Sequence, residues 1–200
     1  MFRKIALVLI ALSLVLGIYA PASAAPFANA SDWTSTQLVP QLEMRKSLGV
    51  VWTGTANIMH FAVPQDQATM NFFYLGIEHQ TTKSLWLSPQ VGVVTGWPKA
   101  TYECVDLGLW GGWDITPKID FFGDVEVICG GGLHDYFGHF ELSSKTGFGK
   151  VGLHFEQTNA CQQVGPHVQV KGGNLKLNLG VYAGSGAANA RVGLVYTATM

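Results

Sequence analysis

Histidine and carboxylate residues gather in one stretch of this chain: His134, Asp135, His139, His154, Glu156 and His167. Imidazole nitrogens beside carboxylate oxygens ligate divalent metals. They also form base–orienter pairs for hydrolysis. Neither chemistry has a local signature here, since the chain contains no Gly-x-Ser-x-Gly and no His-Glu-x-x-His. The simpler reading is that these histidines are structural or solvated, with no metal and no cofactor. A second set of residues carries charge of both signs: Asp120, Asp124, Glu126, Glu141, Lys150, Lys171, Lys176 and Arg191. Gly130-Gly131-Gly132 is read as a flexible turn and not as a phosphate loop, because no helix start follows it.

The elements that position these residues repeat every second position. Leu85, Leu87, Val91 and Val93 alternate with Ser88, Gln90 and Gly92, and Val105, Leu107 and Leu109 with Asp106 and Gly108. The same period recurs at Ile119–Val127, Val151–Phe155, Leu175–Val181 and Val192–Tyr196. Successive strand side chains point to opposite faces, so each segment has one apolar and one polar face. Ten segments follow: 48–61, 71–80, 84–97, 104–115, 119–129, 133–143, 148–157, 166–171, 175–183 and 190–198. The eighth is short, and eight strands result if it and a neighbour fail. Tight turns at 81–83, 116–118, 144–147 and 172–174 alternate with mostly longer connections at 62–70, 98–103, 130–132, 158–165 and 184–189. In an up-and-down barrel this places the turns at one end and the loops at the other. Ten strands would bring both chain ends to the turn side.

Composition narrows the surroundings. Of 200 residues, 48% are apolar and only 12% charged, against about 25% charged in soluble domains. The net charge of −1 and the lack of Lys/Arg clusters argue against nucleic acid as a partner. Arg3 and Lys4, the apolar run Ile5–Leu16 and the small residues Pro21–Ala24 read as a secretory signal, cleaved after Ala24 or Ala25. The expected organisation is therefore a signal at 1–25, a periplasmic lead-in at 26–47 and a barrel at 48–200. The three cysteines, Cys104, Cys129 and Cys161, leave at least one unpaired within the chain. Parity opposes a Cys104–Cys129 bond, because the two fall on opposite faces.

Charge sits on one face of the segments and is essentially absent from the other. A soluble barrel turns its apolar face inward, and a membrane barrel turns it outward. Trp97, Trp113, Tyr136 and Tyr196 lie near strand ends on the apolar face, where an interfacial aromatic girdle belongs. Glycines on the polar face, Gly76, Gly92, Gly108, Gly180 and Gly193, leave room for long lumenal side chains. Together, the signal, the alternation from Leu48 to Ala198 and the closing segment Ala190–Ala198 resemble the small bacterial outer-membrane β-barrel proteins.

That resemblance implies an all-β, antiparallel, up-and-down transmembrane barrel of eight to ten strands in the outer membrane. Membrane lipid would be its main partner, and an extracellular ligand or surface partner would meet loops 62–70, 98–103 and 158–165. The charged residues would plug the lumen, with Glu141 and Lys150 paired across the 144–147 turn. Conduction along a narrow lumenal path is the sharper alternative for these charges. A rim site built on His134, Asp135, His154, Glu156 and His167, hydrolytic or metal-binding, is the alternative of another class. A soluble, exported, lipocalin-like barrel binding a small apolar ligand is the third reading.

Overall fold

The computed structural model describes residues 34–63, 68–96, 104–130, 133–158, 162–184 and 187–200. Among them there are strands and turns and no helix. The strands are β1 (Thr34–Ser47), β2 (Trp52–Val63), β3 (Ala68–Thr82), β4 (Leu85–Thr95), β5 (Cys104–Asp114), β6 (Ile119–Gly130), β7 (Leu133–Lys145), β8 (Gly149–Thr158), β9 (Gln162–Gly172), β10 (Leu175–Gly184) and β11 (Ala187–Thr199). They close into one barrel of eleven strands in sequence order. The ten segments expected from the alternation are β2 to β11, and the short eighth segment is a full strand of 11 residues.

The eleventh strand corrects the sequence reading. Residues 26–47 were expected to be a lead-in, yet Thr34–Ser47 is β1. Its alternation is present but interrupted. Leu38, Leu42 and Met44 take one face, and Gln37, Gln41, Glu43 and Arg45 the other, while Val39 and Pro40 break the pattern. Proline has no N–H for a ladder and argues against a strand. The structure accommodates it by leaving Val39 and Pro40 out of the pairing with β2, which resumes at Gln41↔Met59.

Odd strand number fixes the closure. Consecutive strands run antiparallel, so the first and eleventh run the same way, and β1 pairs with β11 in parallel from Thr34↔Ala188 to Arg45↔Thr199. The barrel is therefore not antiparallel throughout. The chain enters β1 at the end where the longer connections lie. It leaves at the tight-turn end, where the Met200 N–H donates to the Arg45 carbonyl at 2.9 Å. The expectation that both ends share the turn side fails for the same reason: it counted ten strands.

The faces are inverted relative to a soluble barrel. On β5, Cys104 and Asp106 are buried while Val105, Leu107 and Leu109 are exposed. Leu75, Leu107, Leu153 and Val181 keep 58–65% of their surface exposed, whereas Asp106 has 0%. Glu78, Asp120, Asp124, Glu126 and Glu156 are also buried, as the face assignment expected.

Glycines make the interior fit. An added Cβ at Gly92 would lie 2.5 Å from the Tyr74 ring, one at Gly112 would lie 2.4 Å from the Trp86 indole nitrogen, and one at Gly180 would collide with the Tyr182 hydroxyl. Tyr74 and Trp86 lie over a bare backbone on the next strand, and Tyr182 over one on its own strand. Gly92→Ala is therefore expected to lower stability by about 1–3 kcal/mol through overpacking. Gly147→Ala, with nothing within 4 Å, should leave it unchanged. Urea midpoints of the two folded variants test this.

Candidate functional site

Strands β6 to β9 bring the chemistry together inside the barrel. Register sets one row, Asp124↔His139↔Glu156, and the next row toward the turns, Phe122↔Glu141↔His154. A third row holds Asp120↔Ser143↔Gly152↔His167. Spacing by two on each strand keeps all of these on the lumenal face.

The contacts run as a chain. His139 Nδ1 lies 3.1 Å from Asp124 Oδ2, and its Nε2 lies 3.2 Å from Glu141 Oε1. His154 Nδ1 stands 3.7 Å from that same Glu141 oxygen, and its Nε2 lies 3.2 Å from Glu156 Oε2. Arg191 of β11 meets Glu156 Oε2 at 2.7 Å, and its Nε donates to Gln37 Oε1 of β1, also at 2.7 Å. The Arg191 guanidinium and the His154 ring both lie over Tyr182, at 5.2 Å and 4.2 Å between centres. The network thus ties β6 to the closing seam of the barrel.

His154, Glu156 and His167 are buried on the lumenal face. Residues His134 and Asp135 stand at the loop end of β7, opposite Cys129 and Ile128 in the register, and their side chains lie outside the described residues. Ser143 Oγ meets His167 Nε2 at 2.9 Å, but Glu141 approaches that same nitrogen, at 4.0 Å. A hydrolytic triad needs the carboxylate on the opposite ring nitrogen. Here His167 Nδ1 has no hydrogen-bond partner.

A second polar cluster lies on β3, β5 and β6. The Tyr74 hydroxyl is 2.9 Å from Asp106 Oδ2 and 3.1 Å from Glu126 Oε2, and the Trp110 indole N–H donates to Glu126 Oε1 at 2.8 Å. One phenolic proton serves one carboxylate, so the other contact requires a carboxyl that donates back.

The remaining charges sit nearer the turn-side mouth. Lys150 meets Asp120 at 2.6 Å. The expected Glu141–Lys150 pair is absent, because the register places Lys145 opposite Lys150 and His154 opposite Glu141. Lys176 lies 3.8 Å from Glu43, and Lys171 is exposed. Arg45 bridges Glu43 at 2.9 Å and Glu78 at 2.6 Å. Glu43, Arg45 and Gln37 escaped the sequence reading because they belong to the missed strand.

The outer face carries aromatic residues toward its borders. Trp113 sits between Leu85 and Phe121 in the register, near the turns, and Tyr196 is exposed at the same end. Trp52 packs on His79 there at 4.2 Å between ring centres. At the loop end, Tyr136 accepts a hydrogen bond from Gln157 Nε2 at 2.8 Å, and His60 Nδ1 meets Asn71 Oδ1 at 2.7 Å. Trp97 lies outside the described residues. Cys104 is buried and Cys129 exposed, both as free thiols on opposite faces, in line with the parity argument. Cys161 lies outside the described residues.

No family model, no curated protein and no solved structure matches this chain.

The Arg191–Glu156 contact makes a sharp prediction. Removing one partner of a buried ion pair strands the other charge, at a cost of about 3–5 kcal/mol. Arg191→Met should therefore lower the unfolding free energy by that order. Arg191→Met combined with Glu156→Gln should recover a large part of the loss in a double-mutant cycle of urea unfolding.

Proposed function

We propose that this chain is an exported barrel that spans a bacterial outer membrane, with a structural or surface-interaction role carried by its loop-side end. One observation carries the reading: the outer face is apolar and exposed while Glu78, Asp106, Asp120, Asp124, Glu126 and Glu156 are buried inside. Leucine, isoleucine and valine facing water all round a ring would form a continuous apolar patch, which soluble monomers avoid. Lipid removes that cost.

The dimensions suit a bilayer. On β3 the exposed Phe73, Leu75 and Ile77 lie between Asn71 at the loop side and His79 at the turn side. Eight residues of strand rise about 26 Å, and a tilt of about 40° leaves about 20 Å of height, close to the apolar band of outer-membrane barrels. Trp52, Trp113 and Tyr196 at one border, with Tyr136 and His60 at the other, suit the two interfaces.

The lumen supports a plug more than an open path. Ion pairs join β1 to β3, β6 to β8 and β8 to β11 across the interior face. Barrels that conduct freely have 16–18 strands or more. A lipocalin-like carrier needs apolar side chains in its cavity, and most of those here point outward.

A charge on the outer face separates the readings. Leu107→Arg places a guanidinium at mid-height on β5, where lipid would penalise it by about 2–4 kcal/mol. The variant should fold into lipid vesicles less completely than the parent, as measured by the fraction of heat-modifiable, fast-migrating protein. A soluble barrel would take the same substitution without loss and gain solubility, which would contradict the membrane reading.

A further inference from the structure

We propose that the lumen holds a divalent transition metal, with Zn2+ the best fit, on His139, Glu141 and His154. One ligand atom from each of the three lies within 4.8 Å of the others. The inference rests on side chains inside the barrel, so it stands whichever solvent surrounds the outer face.

Tautomers argue for the metal. The Nδ1 of His139 faces the Asp124 carboxylate and the Nε2 of His154 faces the Glu156 carboxylate. In the neutral tautomers that donate to Asp124 and Glu156, lone pairs are left on His139 Nε2 and His154 Nδ1. Both nitrogens lie near Glu141 Oε1, at 3.2 Å and 3.7 Å. Three electron-rich atoms facing one another repel unless a cation joins them. A proton between His139 and Glu141 serves that pair alone. It leaves His154 Nδ1, on a side chain only 2% exposed, without a partner. A metal satisfies all three.

The carboxylates that would orient the two imidazoles are already in place. Metal-bound histidines characteristically donate their other N–H to a carboxylate, and both do so here. Arg191 fixes Glu156 in turn at 2.7 Å. Ligand atoms around tetrahedral zinc stand about 3.3 Å apart at ordinary bond lengths, so the two shorter separations need little adjustment. Two imidazoles and one carboxylate suit zinc better than calcium or magnesium, which favour all-oxygen shells. Glu141 keeps 24% of its side chain accessible while His154 is sealed, so water reaches the site on the glutamate side and supplies the remaining position.

Co2+ serves as the probe. The full chain, untagged, folded and stripped by chelator, should bind one equivalent of Co2+ with visible bands of a four- or five-coordinate N,O site, and Zn2+ should displace it. Glu141→Gln and His154→Ala should abolish those bands. Asp124→Asn, one shell out, should weaken affinity by about 10–100-fold. His60→Ala and His79→Ala, on the outer face, should leave binding unchanged. Far-ultraviolet circular dichroism reports whether each variant is folded. If the lumenal variants fail to fold, the parent chain decides: bound Co2+ should shift the ring protons of His139 and His154 and spare those of His60 and His79. Absence of a one-equivalent site in the parent, or its persistence without Glu141 or His154, overturns the proposal.

Discussion

A carboxylate sealed from water costs several kcal/mol unless a cation or a donor meets it. This barrel seals Asp106, Asp124, Glu126 and Glu156 behind a closed wall of strands. Everything inside answers to that cost. Each of the four meets a donor on another strand: Tyr74, His139, Trp110 or Arg191. Partners on different strands act as cross-links, so the polar interior does for this fold what a hydrophobic core does elsewhere. Its apolar core is accordingly small, a cluster around Phe72, Tyr74, Val94 and Cys104.

Closure is the condition for such an interior. An open sheet would let water reach these groups and leave an unpaired edge. The eleventh strand closes the ring through a parallel seam, a geometry slightly weaker per residue than the antiparallel pairs. Side chains reinforce it. Arg191 on β11 reaches Gln37 on β1, and the Thr197 hydroxyl donates to Glu43 at 3.0 Å. The seam and the histidine network therefore share one residue, Arg191. A disturbance at Glu156 is felt at the closure as well as in the lumen.

Much of this was legible in the chain. Alternation by two located β2 to β11, and the placement of charge named the lumenal face before any register was known. The glycines of that face were recognised as room for long side chains, and Tyr74 over Gly92 is that room in use. β1 was not legible, because Val39 and Pro40 break its period and its pairing with β11 is long-range. The site was half legible. His154 and Glu156, two apart on one strand, had to share a face. That Asp124, His139 and Glu156 form one row depends on register between strands, which turn lengths alone set only to within a residue or two. A difference of four residues moved the partner of Glu141 from Lys150 to His154.

The proposed membrane placement requires the apolar face, and not the polar face, to meet lipid. Spin labels placed one at a time from Val105 to Leu109 on β5 test it directly, read by collision with lipid-soluble oxygen and with a water-soluble nickel chelate. A membrane-spanning barrel gives a period of two, with oxygen contact high and chelate contact low at Val105, Leu107 and Leu109, and oxygen contact low at Asp106 and Gly108. Chelate access that is high at Val105, Leu107 and Leu109 would contradict it and put water on the face assigned here to the membrane.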